Sequence, residues 1–126
     1  MAYDRETALR VRRLLGSRPD IAEKEMIGGL SFLVKGRIAC SVSGRGGMLI
    51  RVGAGAMDRL LKEPHVRPAA MGARTMTGFV RIDPEAYRTD AALRKWVQRG
   101  LDLVAALPAA TPVRRPGPSQ RRREPG

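Results

Sequence analysis

Apolar residues recur at every second position between Leu30 and Val52, in three short runs separated by turns that contain glycine. The runs are Leu30, Phe32 and Val34, then Ile38, Cys40 and Val42, then Met48, Ile50 and Val52. A period of two is typical of half-buried strands. Glycine accepts the positive φ that a tight reversal needs, so Lys35-Gly36 and the glycine cluster at 44–47 are predicted turns. Residues 23–53 therefore predict an antiparallel β-meander.

Helical patterns flank this meander. A helix is predicted over residues 4–15, capped by Asp4 and stopped by Gly16. A short helix is predicted to begin within residues 53–56 and to end at Pro64, and a long one is predicted from a cap at Thr89 or Asp90 to about residue 107. The apolar stripe of the long helix consists of Leu93, Trp96, Val97, Leu101, Val104 and Leu107. Trp96 is its predicted anchor, and Gly100 is predicted to mark a close approach of the helix to the sheet.

Two further segments have the composition of strands. Ile21 to Ile27 is a weaker strand candidate, and Met76 to Ile82 is the predicted last strand. In that strand alternation places Met76 with Val80 and Ile82 on one side and Phe79 on the other. Residues 66–75 are predicted to be a loop with at most a brief edge strand. The expected fold class is α+β: a two-layer structure with an antiparallel sheet, an N-terminal helix, a short middle helix and a long C-terminal helix.

Length and composition predict one domain over residues 1–108 and a disordered tail over 109–126. The tail is rich in proline and arginine and cannot bury enough apolar area to offset the entropy of ordering it. The formal charge of the chain is +12, from 24 basic and 12 acidic residues. Candidate nucleic-acid contacts are the tail arginines Arg114, Arg115, Arg121, Arg122 and Arg123. The tail has no aromatic residue on which bases could stack.

Targeting signals are not evident in the sequence. No run approaches the roughly 20 apolar residues that cross a bilayer, and the N-terminal segment is charged. Cys40, the single cysteine, cannot form an internal disulfide and suits a reducing compartment. A soluble, cytoplasmic protein without membrane contact is expected.

Two features of the sequence could belong to an enzyme, a glycine-containing turn before a helix and the single cysteine and histidine. Gly53 and Gly55 follow a strand and open a helix, as in a nucleotide-binding turn, but Asp58 would repel a pyrophosphate. Cys40 and the single histidine, His65, lie in no spacing typical of a zinc site or a catalytic cluster. The sequence therefore predicts no enzyme, with no catalytic residue, no cofactor and no metal site.

Several segments together resemble the TfoX/Sxy N-terminal domain family over nearly all of residues 1–108. The matching features are Lys24-Glu25-Met26 before Gly28-Gly29-Leu30, Phe32-Leu33-Val34 with Gly36, Leu49 to Gly53, Met76 with Gly78-Phe79-Val80, Asp83-Pro84, and Trp96-Val97. The resemblance implies a two-layer α+β domain and supplies no catalytic residues. Some bacterial members regulate competence and carry a second, C-terminal helical domain. This chain lacks the length for that domain, so a stand-alone member is expected.

Two functions from different classes remain open at this point. The first is a non-enzymatic regulatory module that binds a protein partner, which the sequence does not identify. The alternative is weak, nonspecific nucleic-acid binding through the arginine-rich tail and the basic first helix. The sequence does not predict the oligomeric state.

Overall fold

A computed structural model describes residues 4–16, 18–26, 28–71 and 73–107. The helices are α1 (Arg5–Leu15), α2 (Ala54–Leu60) and α3 (Asp90–Ala106), and a 3-10 helix spans Pro84–Tyr87. The strands are β1 (Ile21–Met26), β2 (Gly29–Val34), β3 (Arg37–Ser43), β4 (Met48–Arg51), β5 (Val66–Met71) and β6 (Arg74–Ile82). The predicted tail, with its five candidate arginines, lies outside the described residues.

The six strands form one antiparallel sheet in the order β1-β2-β3-β4-β6-β5. Strands β2, β3 and β4 are the three runs of the predicted meander, and β1 is the weaker strand candidate that precedes them. Lys35 and Gly36, with φ of 53° and 83°, make the two-residue reversal between β2 and β3. Asp4 caps α1 as predicted, and Thr89, one of the two candidate caps, caps α3; both side chains accept hydrogen bonds from backbone amides of the first turns. The expected α+β fold class is confirmed.

The main hydrophobic core lies between one face of the sheet and the helices. It joins strand residues such as Phe32, Val42 and Ile50 to Val11 of α1 and Trp96 of α3. Trp96 is only 6% exposed, which confirms its predicted burial. Helix α3 packs over the central strands β3 and β4, so the longest helix covers the middle of the sheet.

Strict alternation was wrong at two predicted core positions. Ile38 does not join Cys40 and Val42 in the main core, because a β-bulge between Phe32 and Leu33 in the β2–β3 pairing shifts the alternation. Met76 likewise packs on the face opposite Val80, since Gly78 takes φ of 90° between them. Both side chains contact a second, smaller apolar cluster on the other face of the sheet.

The segment predicted as a loop contains a full edge strand, β5. The prediction failed because Pro68 and scattered alanines are unfavourable in a central strand, whereas an edge strand tolerates proline. The pairing of β5 with β6 shifts register between Pro68 and Ala70. This irregularity and the proline together protect the edge from pairing with another chain.

Candidate functional site

The sheet face opposite the main core carries a row of side chains that crosses all six strands. The paired positions in the row are Lys24, Ser31, Ser41, Leu49, Arg81 and Arg67, from β1 to β5 in spatial order. Directly paired residues point to the same face of a sheet. We call this surface the cationic face, because the row ends in Lys24 on one side and in two arginines on the other.

Carboxylates from the strands do not neutralise this face. Within the six described strands the only acidic residues are Glu23 and Glu25. Both have the opposite parity to Lys24, and Glu23 accepts two hydrogen bonds from Arg12 of α1 on the helix side. Asp83, just after β6, binds Arg67 at 2.9 Å at one end of the row. Asp83 therefore partly neutralises Arg67, whereas no strand places a carboxylate on this face beside Lys24 or Arg81.

A small apolar cluster adjoins the row on the same face. Leu49, Ala69 and Phe79 are buried there without any helix residue in the cluster. Arg51 lies over the Phe79 ring, with its guanidinium carbon 4.9 Å from the ring centroid. Partial burial, and then the nearby charge of Arg37, lower the pKa of Arg51.

The centre of the row is held by hydrogen bonds. Ser31 Oγ donates to Ser41 Oγ at 3.0 Å, and both serines are almost fully buried. Arg81 donates to Ser43 Oγ and to the carbonyl oxygen of Gly46 in the β3–β4 turn. These contacts hold the guanidinium of Arg81 against the β3–β4 turn.

Two arginines of the basic first helix have structural contacts. Arg10 donates to the backbone carbonyl of Tyr87 at 2.8 Å and forms an ion pair with Asp90. Arg12 binds Glu23 of β1 through both ends of its guanidinium. These side chains fasten α1 to the 3-10 helix, the start of α3 and β1, so fewer cations on α1 remain to contact phosphates.

The turn after β4 and the thiol of Cys40 are the two features that could belong to an enzyme. Strand β4, which precedes Gly53, pairs antiparallel with both neighbours, whereas a dinucleotide-binding turn follows a strand of a parallel βαβ unit. Cys40 is 1% exposed, and burial raises the pKa of its thiol to about 12. A thiol of this kind stays protonated at neutral pH and is a poor nucleophile.

Three potential ligands that the sequence spacing did not connect come together at one end of the sheet. His65 lies just before β5, whereas Asp83 and Glu85 follow β6. The antiparallel pairing of β5 with β6 brings the two segments side by side. The spacing of these residues along the sequence does not predict that pairing. Along the chain His65 has no second ligand at a spacing typical of a zinc site, so the cluster was not predicted.

None of the helices in the described ranges has the length and apolar character needed to cross a membrane. The TfoX N-terminal domain model matches residues 13–104. Searches of curated proteins and of solved structures gave no match. The match spans β1 to β6 and nearly all of α3, which are the elements that build the core and the cationic face. The chain therefore belongs to the TfoX N-terminal domain family.

Proposed function

We propose that this protein is a non-enzymatic regulatory module of a bacterial cytoplasm that binds an acidic segment of a protein partner through its cationic face. The observation that carries the proposal is the row across the sheet, in which cations stand at both ends and no strand supplies a carboxylate. Family membership supports a regulatory role. The module comprises residues 1–108, and the tail acts separately from it.

The composition of the surface favours a contact made through charge. Among the described residues Leu9 on α1 is the only large hydrophobic side chain that is exposed. A partner that binds through an apolar patch would need a larger one. Arginine is well suited to the alternative, because its planar guanidinium binds carboxylates in a bidentate manner and is weakly hydrated. Arg51 and Arg81 offer such groups beside the buried Phe79 and Leu49.

Neutralising two cations of this face is expected to weaken the binding of an acidic peptide. The test compares the full-length chain with the double variant Lys24→Gln and Arg51→Gln, using fluorescence anisotropy of a labelled oligoglutamate peptide. Partly exposed ion pairs contribute about 0.2 to 1 kcal/mol each, so the loss of two should lower the affinity by roughly twofold to thirtyfold. The control is Arg13→Gln with Lys62→Gln, which removes the same charge from two exposed positions, one on α1 and one in the turn after α2. Equal losses in both double variants would reject the cationic face as the site.

The alternative is nonspecific binding of nucleic acid through the tail, and the charge of the tail favours it. Residues 114–126 hold five arginines and one glutamate. Replacing the five arginines by glutamine in the full-length chain should then flatten the slope of log affinity for duplex DNA against log salt by at most about 4 to 5. The cationic-face variant should retain its DNA affinity if the tail is the site. An unchanged slope in the tail variant would reject the alternative.

A further inference from the structure

We propose that His65, Asp83 and Glu85 form a binding site for a divalent transition-metal ion of the Zn²⁺ type. One ligand atom from each residue lies within 4.8 Å of the other two. An imidazole nitrogen with two carboxylate oxygens is a donor set that zinc takes in proteins. Three protein ligands leave a fourth position for water or for a group of a partner.

The backbone brings the three side chains together before any ion is bound. The amide of Asp83 donates to the carbonyl oxygen of His65 at 2.9 Å, which ties the start of β5 to the end of β6. Asp83 and Glu85 flank Pro84 at the start of the 3-10 helix, and the carbonyl of Asp83 accepts from the Ala86 amide. Ligands of a tetrahedral zinc ion lie about 3.4 Å apart. Small side-chain rotations of the exposed His65 and Glu85 suffice to close the remaining separation.

Asp83 is oriented as metal-binding carboxylates usually are. Its Oδ2 atom accepts hydrogen bonds from Nε and Nη2 of Arg67, at 3.2 and 2.9 Å. Its Oδ1 atom receives no hydrogen bond from any residue in the described ranges, so it can bind an ion. A second group that holds a ligating carboxylate in this way fixes its orientation and strengthens the site. Arg67 also compensates part of the negative charge of the two acids while the site is empty.

Metal binding would join the two segments that end the β5–β6 pair. The ion would connect the residue before the edge strand to the 3-10 helix that leads into α3. An ion that binds only the folded state stabilises it. The site adjoins the Arg67 end of the cationic face, but the proposal does not depend on that surface.

His65 makes the test specific, because it is the only histidine of the chain. We expect one equivalent of Zn²⁺, added to the untagged full-length protein, to shift the imidazole proton resonances of His65. The melting temperature should rise in the same titration. Glu85→Gln removes one ligand and should weaken binding at least tenfold, and His65→Asn should abolish the rise in melting temperature. Asparagine is chosen because His65 has φ of 66°, a conformation that asparagine tolerates.

Glu63→Gln is the matched control, since Glu63 is an exposed acid of the same loop that does not belong to the cluster. Its affinity for Zn²⁺ should equal that of the unmodified chain. The proposal is overturned if stoichiometric Zn²⁺ leaves the His65 resonances unchanged. It is equally overturned if Glu85→Gln binds as tightly as the unmodified protein, because the histidine would then act alone.

Discussion

Replacing Gly100 by alanine is expected to destabilise the domain by about 1 to 3 kcal/mol, although alanine is the better helix former. A Cβ atom at this position would lie 2.4 Å from the carbonyl oxygen of Ala39 and 3.1 Å from its carbonyl carbon. Both atoms belong to the backbone of β3 at the bulge, so they cannot move as a flexible side chain would. The helix would have to shift away from the sheet and lose contacts that bury Trp96 and Val97.

Gly55 provides the opposite case within the same protein. It lies in α2, and a Cβ atom there would meet no heavy atom within 4 Å. Gly55→Ala should therefore be neutral or should stabilise the fold by up to about 1 kcal/mol. Urea unfolding followed by circular dichroism measures both variants. If Gly100→Ala were as stable as Gly55→Ala, the close approach of α3 to β3 would be wrong.

The sequence predicted the close approach at Gly100 but not the β3 residue that it meets. A buried glycine in an amphipathic helix indicates that space is limited, and this inference needs only local pattern. The contact with Ala39 depends on the β-bulge, which arises from how β2 pairs with β3. The same bulge moved Ile38 away from its predicted side. The alternation of apolar residues therefore predicted where the strands lie. The position of the bulge depends on the pairing of β2 with β3, which the alternation does not show.

The candidate sites depend still more on pairing across the sheet. Lys24, Arg51 and Arg81 are ordinary surface cations when read along the chain, and only the register of the strands aligns two of them in one row. Asp83 and Glu85 lie on either side of Pro84, where the 3-10 helix begins. Their proximity to His65 requires the edge strand β5, which composition concealed. Both candidate sites therefore depend on strand pairing between distant segments, which local sequence patterns do not reveal.

Replacing Trp96 by alanine is expected to cause the largest loss, roughly 3 to 5 kcal/mol, which is a large part of the stability of a small domain. The indole ring is buried between α3 and the sheet, where it belongs to the main core. Arg99 lies over the face of the indole ring, with its guanidinium carbon 4.6 Å from the ring centroid. Arg99 Nη1 is buried and has no hydrogen-bond partner among the described residues, so the ring face is the group that compensates it.

Two control variants accompany Trp96→Ala, a conservative replacement of the same ring and the truncation of an exposed apolar side chain. Trp96→Phe keeps most of the apolar contact and an aromatic face, and it should cost clearly less than Trp96→Ala. Leu9→Ala removes a large apolar side chain that is 49% exposed on α1, and it should change stability by at most about 0.5 kcal/mol. Unfolding in urea is followed by circular dichroism for all variants, because the two Trp96 variants lack the only tryptophan of the chain. A loss below about 1 kcal/mol for Trp96→Ala would contradict the core described above, since a cavity of that size in a packed interior cannot be so inexpensive.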